Sequence, residues 1–282
     1  MAAASSNYVY GIDPQEIDRL GNLDTVHGPL SMAWLAAAGV GQSATLLDVG
    51  CGGGHMSRRL AQAYPNLQIV GTDANPAMVA ACQGLANEAG LDNVRYVEAN
   101  ACHLDKPFTE RFDVVYSRFL MAHLDTPLQA LKAMAAVAHP SGRLFVEDIE
   151  LSTMAFNPSH PALARARDTI LKLVRLHGGN ADVGAHLPTL CQQAGWQALN
   201  VDHYAAEEPQ AAVKRVLPQV WCNGDIQTSL LRHGLLNEAD LETVVAMLEQ
   251  QVQQTTVTLP LVWRVHGTLP PTNNSLHGNG YP

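Results

Sequence analysis

The stretch TLLDVGCGGG at residues 45–54 constrains this chain more than any other. Residues 45–49 are branched and apolar apart from Asp48, the pattern of a short buried strand. Glycines follow at alternate positions, Gly50, Gly52 and Gly54, with Gly53 between the last two, and residues 55–63 read as a helix. A strand that breaks into a glycine loop and re-enters as a helix lets backbone come very close to a bound small molecule. The helix N-terminus adds unpaired N–H groups and a partial positive charge, which suits an anionic group on the ligand. A dinucleotide loop needs G-x-G-x-x-G. Counted from Gly50, its third glycine would stand where this chain has His55. The pattern here is G-x-G-x-G, with Asp48 two residues before the first glycine.

Alternating strand and helix patterns continue from there. Residues 67–72 read as a second strand ending in Asp73. That places an acid after strand two near the distance at which it reaches ribose hydroxyls. Asn75-Pro76 starts a helix to about residue 88. Residues 93–99 form a third strand running into Asn100-Ala101-Cys102-His103, and residues 111–117 a fourth. Asp125-Thr126-Pro127 caps a helix to about residue 138, residues 139–143 read as a turn, and residues 144–149 as strand five. Such alternation predicts a doubly wound sheet with its ligand over the carboxyl ends of the strands.

Outside this core, residues 14–23 and 29–38 read as two helices ahead of the first strand. Residues 159–176 form a long amphipathic helix with Leu163, Ile170, Leu171 and Val174 on one side. Residues 183–194 form another helix and 196–204 a sixth strand. Residues 208–252 are helical with a break near Asn223-Gly224, and 255–266 make a last strand, antiparallel on the edge.

Composition excludes several classes. The chain has 282 residues, 47% hydrophobic and 15% charged, enough for one α/β domain with a modest cap. A formal net charge of −9 argues against a nucleic-acid partner. No apolar run approaches the roughly 20 residues needed to span a bilayer, and the first residues lack the basic and apolar regions of a secretory signal. The cysteines (Cys51, Cys82, Cys102, Cys191, Cys222) are dispersed without C-x-x-C spacing, which reads as thiols in a reducing compartment and no metal site. A cytoplasmic location is expected.

LLDVGCGGG resembles motif I of the class I S-adenosylmethionine-dependent methyltransferases, GTDANPAMVAAC resembles motif II, and RFDVVYS matches motif IV. Pro-x-Gly before an apolar strand, at residues 140–149, is the family's usual pattern after those motifs. The resemblance covers residues 45–150. It implies a Rossmann-like seven-stranded sheet with the last strand antiparallel, within a single domain spanning residues 1–282. That domain would comprise a helical lid at 8–40, the cofactor-binding core at 45–150, a C-terminal half with a helical cap at 151–267, and a tail at 268–282. S-adenosylmethionine is the implied cofactor. Its implied contacts are Tyr10, Asp48, Gly50, Cys51, Gly52, Asp73, Ala74, Met78, Asn100, Ala101, Ser117 and Arg118. Met78 stands where the family packs the adenine. Asn100 replaces the family's usual Asp, keeping an acceptor for the adenine amino group without its charge. Ser117 and Arg118 end the strand that lies beside the methyl group, and Tyr8, Tyr10 and Arg19 are within the lid.

Methyl transfer gains most from excluding water and fixing the nucleophile in line, about 3 Å away. A hydroxyl nucleophile also needs its proton removed. His123 is the first candidate base, one short turn after strand four. Glu147 and Asp148 end strand five, and alternation points one of them toward the cleft. His160, His177 and His186 read as structural, and Trp221 and Cys222 fall in the cap expected to set specificity. The expected activity is methyl transfer to an oxygen, nitrogen or carbon of a small metabolite or natural product. Partners are a small-molecule acceptor, with a homodimer left open, and no nucleic acid, membrane or metal. Two alternatives are a cofactor-binding protein of the same fold that steers another reaction, and a nicotinamide-dependent oxidoreductase, against which His55 argues.

Overall fold

The computed structural model describes residues 14–206, 214–215, 219–221 and 223–271. Tyr8, Tyr10, Cys222 and residues 272–282 lie outside them. Strands β1 (Thr45–Val49), β2 (Gln68–Asp73) and β3 (Val94–Glu98) pair in parallel, and β4 (Phe112–Arg118) and β5 (Ala138–Glu150) continue the parallel sheet from the other side of β1. A short β6 (Ala155–Asn157), an outer β7 (Gln197–Ala205), a short β8 (Thr256–Thr258) and β9 (Leu261–Thr268) complete the strands. The seven-stranded sheet runs β3-β2-β1-β4-β5-β9-β7, with β9 antiparallel to both neighbours, while β6 and β8 pair separately.

Helices cover both faces, which is why β1 and β4 are buried along nearly their whole length rather than at alternate residues. On one face, α1 (Pro14–Ala37), α2 (His55–Ala63) and α3 (Pro76–Glu88) bury Leu35, Met56, Leu60, Met78 and Cys82 against Leu46, Ile69, Val114 and Phe145. Asn75 starts α3 by accepting the N–H groups of Ala77 and Met78, with Pro76 in the first turn. On the other face, α4 (Pro127–Val137) and α6 (Leu187–Gln193) enclose Leu131, Met134, Leu187 and Trp196. A third apolar cluster joins α5 (Pro161–Leu176), α7 (Gly224–Arg232) and α8 (Glu238–Gln251).

Four local expectations are corrected. The two helices ahead of β1 are one, α1, with Pro29 inside it. An interior proline costs about 3 kcal/mol. Here the chain on both sides of it is anchored by buried contacts from Asp24, His27 and Leu35. The turn at 139–143 is absorbed into β5: Ala138 faces Phe112 and Arg143 faces Val114, with Ser141 at φ 61 in the irregularity between them. The segment 255–266 divides at Pro260, which cannot donate to a ladder. Its first part pairs with β6, and its second lies inside the sheet, so β7 is the edge instead. The region 208–252 breaks again between α7 and α8, where Gly234 has φ 62 and Asn237 caps α8.

Candidate functional site

The glycine loop leaves β1 with φ 71 at Gly50, 50 at Gly52 and 67 at Gly54, the last being the N-cap of α2. These are left-handed values that favour glycine. The loop is also tightly covered: a Cβ on Gly50 would lie 2.8 Å from the Leu120 side chain, and one on Gly52 3.2 Å from Leu20 of α1. Two bonds clip it to the end of β2. Cys51 N–H donates to Thr72 O at 2.7 Å, and Gly52 N–H donates to Asp73 Oδ2 at 3.1 Å. Asp73 Oδ1 accepts Asn75 N–H at 3.0 Å. Burial pushes the Asp73 carboxyl up from its ordinary range, against the pull of the Asn75, Gly52 and Ala74 N–H groups.

Asp48 works beneath this loop. Its Oδ2 accepts Ser57 Oγ–H at 2.5 Å, tying α2 to β1, and burial raises its pKa to about 6. Met78 is buried with Cys82 and Tyr96 under α3, and Ala74 is exposed beside Asp73. Asn100 is exposed at the end of β3, where its Oδ1 accepts Cys102 N–H at 2.8 Å, and Ala101 is buried next to it. The glycine loop, Asp73 and Asn100 thus follow the carboxyl ends of three adjacent strands.

At the end of β4, Ser117 Oγ–H donates to Val49 O at 2.9 Å. Arg118 turns toward α1, donating to Asp24 Oδ1 at 2.8 Å and to Ser31 Oγ at 3.4 Å. Phe119 follows at φ 55, with its N–H on Glu147 O and its ring edge-on to His27, centroids 5.0 Å apart. A non-glycine residue held there carries strain of about 1–3 kcal/mol.

Sequence reasoning missed Asp24 and His27. Asp24 is buried between Arg118 and Arg59, whose Nε lies 2.6 Å from Oδ2. Burial pushes its carboxyl up, but the two guanidiniums outweigh this and hold it below the ordinary value. His27 Nδ1 lies 2.9 Å from Tyr204 Oη, and burial beside Arg118 and Arg264 depresses its pKa to about 3, leaving it neutral. Asp24, His27 and Ser31 do share one helical face in the sequence, but their partners come from remote strands.

The candidate bases separate onto two faces. Glu147 points toward α1, where Oε1 accepts Tyr116 Oη–H at 2.6 Å and Oε2 accepts Arg264 Nε–H at 3.2 Å. Arg264 also lies 4.1 Å over the Tyr204 ring and 5.3 Å over Trp34. Asp148 points the other way. Its Oδ2 accepts Ala122 N–H at 3.2 Å and its Oδ1 accepts Ile149 N–H at 2.8 Å, while burial raises its pKa to about 7. Its backbone bonds reach the 3-10 turn Met121–His123 that carries His123. Burial, with Arg19 adding to it, lowers the His123 pKa to about 4. His160 caps α5 through Ala162 N–H, outside this group. Among the described residues no group of three His, Cys, Asp or Glu could hold a metal ion, and no helix is long and apolar enough to cross a membrane.

A family model described as a methyltransferase domain matches residues 46–142. The ubiquinone biosynthesis O-methyltransferase of Pseudomonas entomophila is 30% identical over 141 residues, which cover 49% of this chain and only 60% of that protein's length. The enzyme of the same name from Serratia proteamaculans is 30% identical over 172 residues, covering 55% of this chain and 69% of that protein. Two solved structures share the fold. The YcgJ protein of Bacillus subtilis gives a TM-score of 0.53 at 18% identity, covering 80% of this chain and 92% of that one. A Galdieria sulphuraria protein, a candidate sarcosine dimethylglycine methyltransferase, also gives 0.53 at 18% identity, covering 92% of both chains.

Proposed function

This chain belongs to the class I S-adenosylmethionine-dependent methyltransferases, and from that premise we propose that it moves the methyl group of S-adenosylmethionine to an oxygen of a small-molecule acceptor. The names of the two bacterial relatives support oxygen over nitrogen or carbon. A net charge of −9 supports a small acceptor over nucleic acid. The observation that carries the reading is the 3.1 Å bond between Gly52 N–H and Asp73 Oδ2. It sets a carboxylate beside left-handed glycine backbone under Leu20, a pairing that fits an adenosyl sulfonium ligand once that side chain moves aside.

When bound, that ligand supplies an electrophilic methyl group on a positively charged sulfur. In our reading, the backbone of Gly50, Cys51 and Gly52 lines its amino-acid end, and Asp73 accepts from the ribose hydroxyls. Ala74, Met78 and Ala101 border the adenine, whose amino group donates to the Asn100 amide oxygen. Asp48 holds the loop from below. Ser117 and Arg118 shape the methyl end, and Tyr10, outside the described residues, is proposed as a contact to the cofactor's carboxylate or to the substrate. Leu20 over Gly52 excludes water there.

For the acceptor, burial keeps the His123 ring neutral at physiological pH, so it can accept a hydroxyl proton, as a weaker base than a solvated imidazole. Asp148 is then a positioning residue, because it accepts the N–H of Ala122 in the same turn. Glu147 positions Tyr116 and Arg264. Residues 45–150 form the cofactor unit in this proposal, and the cap within 151–267 sets which acceptor enters.

Calorimetry with S-adenosylmethionine, S-adenosylhomocysteine and NADH is the first test, and binding of the first two but not the third is expected. A mass-spectrometric screen of phenols, carboxylic acids and amines should then show one CH2 gained on oxygen. Cofactor binding with no transfer to any class would favour a non-transferring binding protein, and NADH binding alone would overturn the reading.

A further inference from the structure

Cys51 and Cys82 come from different elements, the glycine loop and α3, yet their sulfurs converge on one atom. Cys82 Sγ–H donates to the Gly52 carbonyl at 3.1 Å, and Cys51 Sγ lies 3.8 Å from the same oxygen. Neither is in a disulfide; Cys82 is buried and Cys51 is partly exposed. The other described cysteines stand apart, Cys102 beside Thr126 and Cys191 in the core on the opposite face.

The two thiols also have different surroundings. A Cβ built on Gly54, the N-cap of α2, would lie 2.9 Å from both Cys82 Sγ and Arg58 Nη1. A guanidinium and a helix N-terminus beside a sulfur both favour the thiolate. Cys82 accordingly titrates below the ordinary thiol range, drawn down by the Cys51 thiol and by Arg58 against burial, while Cys51 is pushed well up by Cys82 and burial. One sulfur is suited to attack and the other to resolve, and a hydroperoxide reaches the buried Cys82 when the loop carrying the partly exposed Cys51 opens.

We propose that Cys51 and Cys82 are a redox pair that a hydroperoxide converts to a disulfide, closing the glycine loop to its ligand. The closing half of this rests on reading that loop as the cofactor site. With hydrogen peroxide, the Cys82 thiolate attacks one oxygen and breaks the O–O bond, giving a sulfenic acid, and the departing oxygen takes a proton to leave as water. Cys51 sulfur then attacks the Cys82 sulfur and breaks its S–O bond, and the leaving hydroxide takes the Cys51 proton as a second water. Two thiols lose two electrons and two protons, and one peroxide becomes two waters. A bonded pair of sulfurs stands about 2 Å apart, so Cys51 must swing toward α3 and Gly52 turn with it. Gly52 N–H then leaves Asp73, and the backbone proposed to line the ligand is displaced. Glycine on both sides of Cys51 lets the backbone make that turn.

The test uses the full chain. It is treated with hydrogen peroxide, its free thiols are alkylated, and its peptides are mapped by mass spectrometry. A linked peptide joining Cys51 to Cys82, two hydrogens lighter than its reduced parts and cleaved by dithiothreitol, is expected. Calorimetry with S-adenosylhomocysteine on reduced, oxidised and re-reduced protein should show affinity falling about tenfold or more and then returning. Cys82→Ser should bind like the reduced wild type and ignore peroxide. Oxidation confined to Cys102 or to methionine, or a linked chain that binds unchanged, overturns the proposal. Failure of the reduced wild type to bind would overturn the cofactor reading instead, and the peptide map would still decide whether the two thiols pair.

Discussion

Asp24 of α1 and Arg118 at the end of β4 meet at 2.8 Å, with their side chains 4% and 12% exposed. Removing one partner of a buried pair leaves the other charge uncompensated and costs about 3–5 kcal/mol. Asp24→Asn is therefore expected to lower unfolding free energy by about that much, measured by urea denaturation at pH 7. The sign of the pH effect follows from the depressed carboxyl. Its folded pKa lies below the ordinary 3.8, so its contribution is present above pH 3.8 and lost as pH falls through the folded value. The gap between wild type and variant should narrow in acid, and a gap unchanged from pH 7 to pH 3 would count against the pair.

Asp73 offers two oxygens beside the glycine loop and gives one lone pair of each to the backbone of Gly52 and Asn75. Asp73→Ala is expected to weaken S-adenosylmethionine binding by about 1.5–3 kcal/mol, the range for hydrogen bonds to a charged group. The fold should survive, as judged by circular dichroism. Unchanged affinity by calorimetry would remove Asp73 from the ribose.

His123 is our proposed base, in a turn whose Ala122 N–H donates to Asp148. His123→Ala should lower kcat by about 10²–10⁴ and leave cofactor affinity unaltered. With its pKa near 4, the wild-type rate should be flat from pH 6 to 8 as far as this group decides it. A step near pH 6.5 that disappears in the variant would show a solvated histidine instead.

Asp148 titrates in the opposite sense to Asp24. Burial holds its folded pKa at about 7, above the ordinary 3.8. Between those values the folded state keeps a proton that the unfolded state has released, so stability falls as pH rises from about 4 to 7 and is level above. Asp148→Asn cannot ionise and should lose that part of the slope. Urea midpoints at steps across the window measure it, and parallel slopes in the two proteins would refute the assignment.

Much of the core is legible in the sequence alone. The strand 45–49, the glycine spacing that follows, Asp73 closing the next strand and the Asn75-Pro76 helix start all lie where the sequence places them. Each is a short-range matter of apolar runs, left-handed glycines and a cap. Pro29 misled because its local cost is met by packing elsewhere on α1. The edge position expected for the last strand failed for a related reason. Alternation along 255–266 reports which residues are buried, and is silent on which neighbours the strand joins.

By itself, then, the sequence determined the loop and the acid that ends the next strand, because each depends on residues a few positions apart. Tertiary structure alone decided that Asp24 would hold Arg118, that Glu147 would turn to α1 and Asp148 to the His123 turn, and that Cys82 would meet Cys51 over the Gly52 carbonyl. Those pairings join segments far apart along the chain. Helix and strand periodicities name the face a residue occupies, but only the folded packing supplies the partner on the other side.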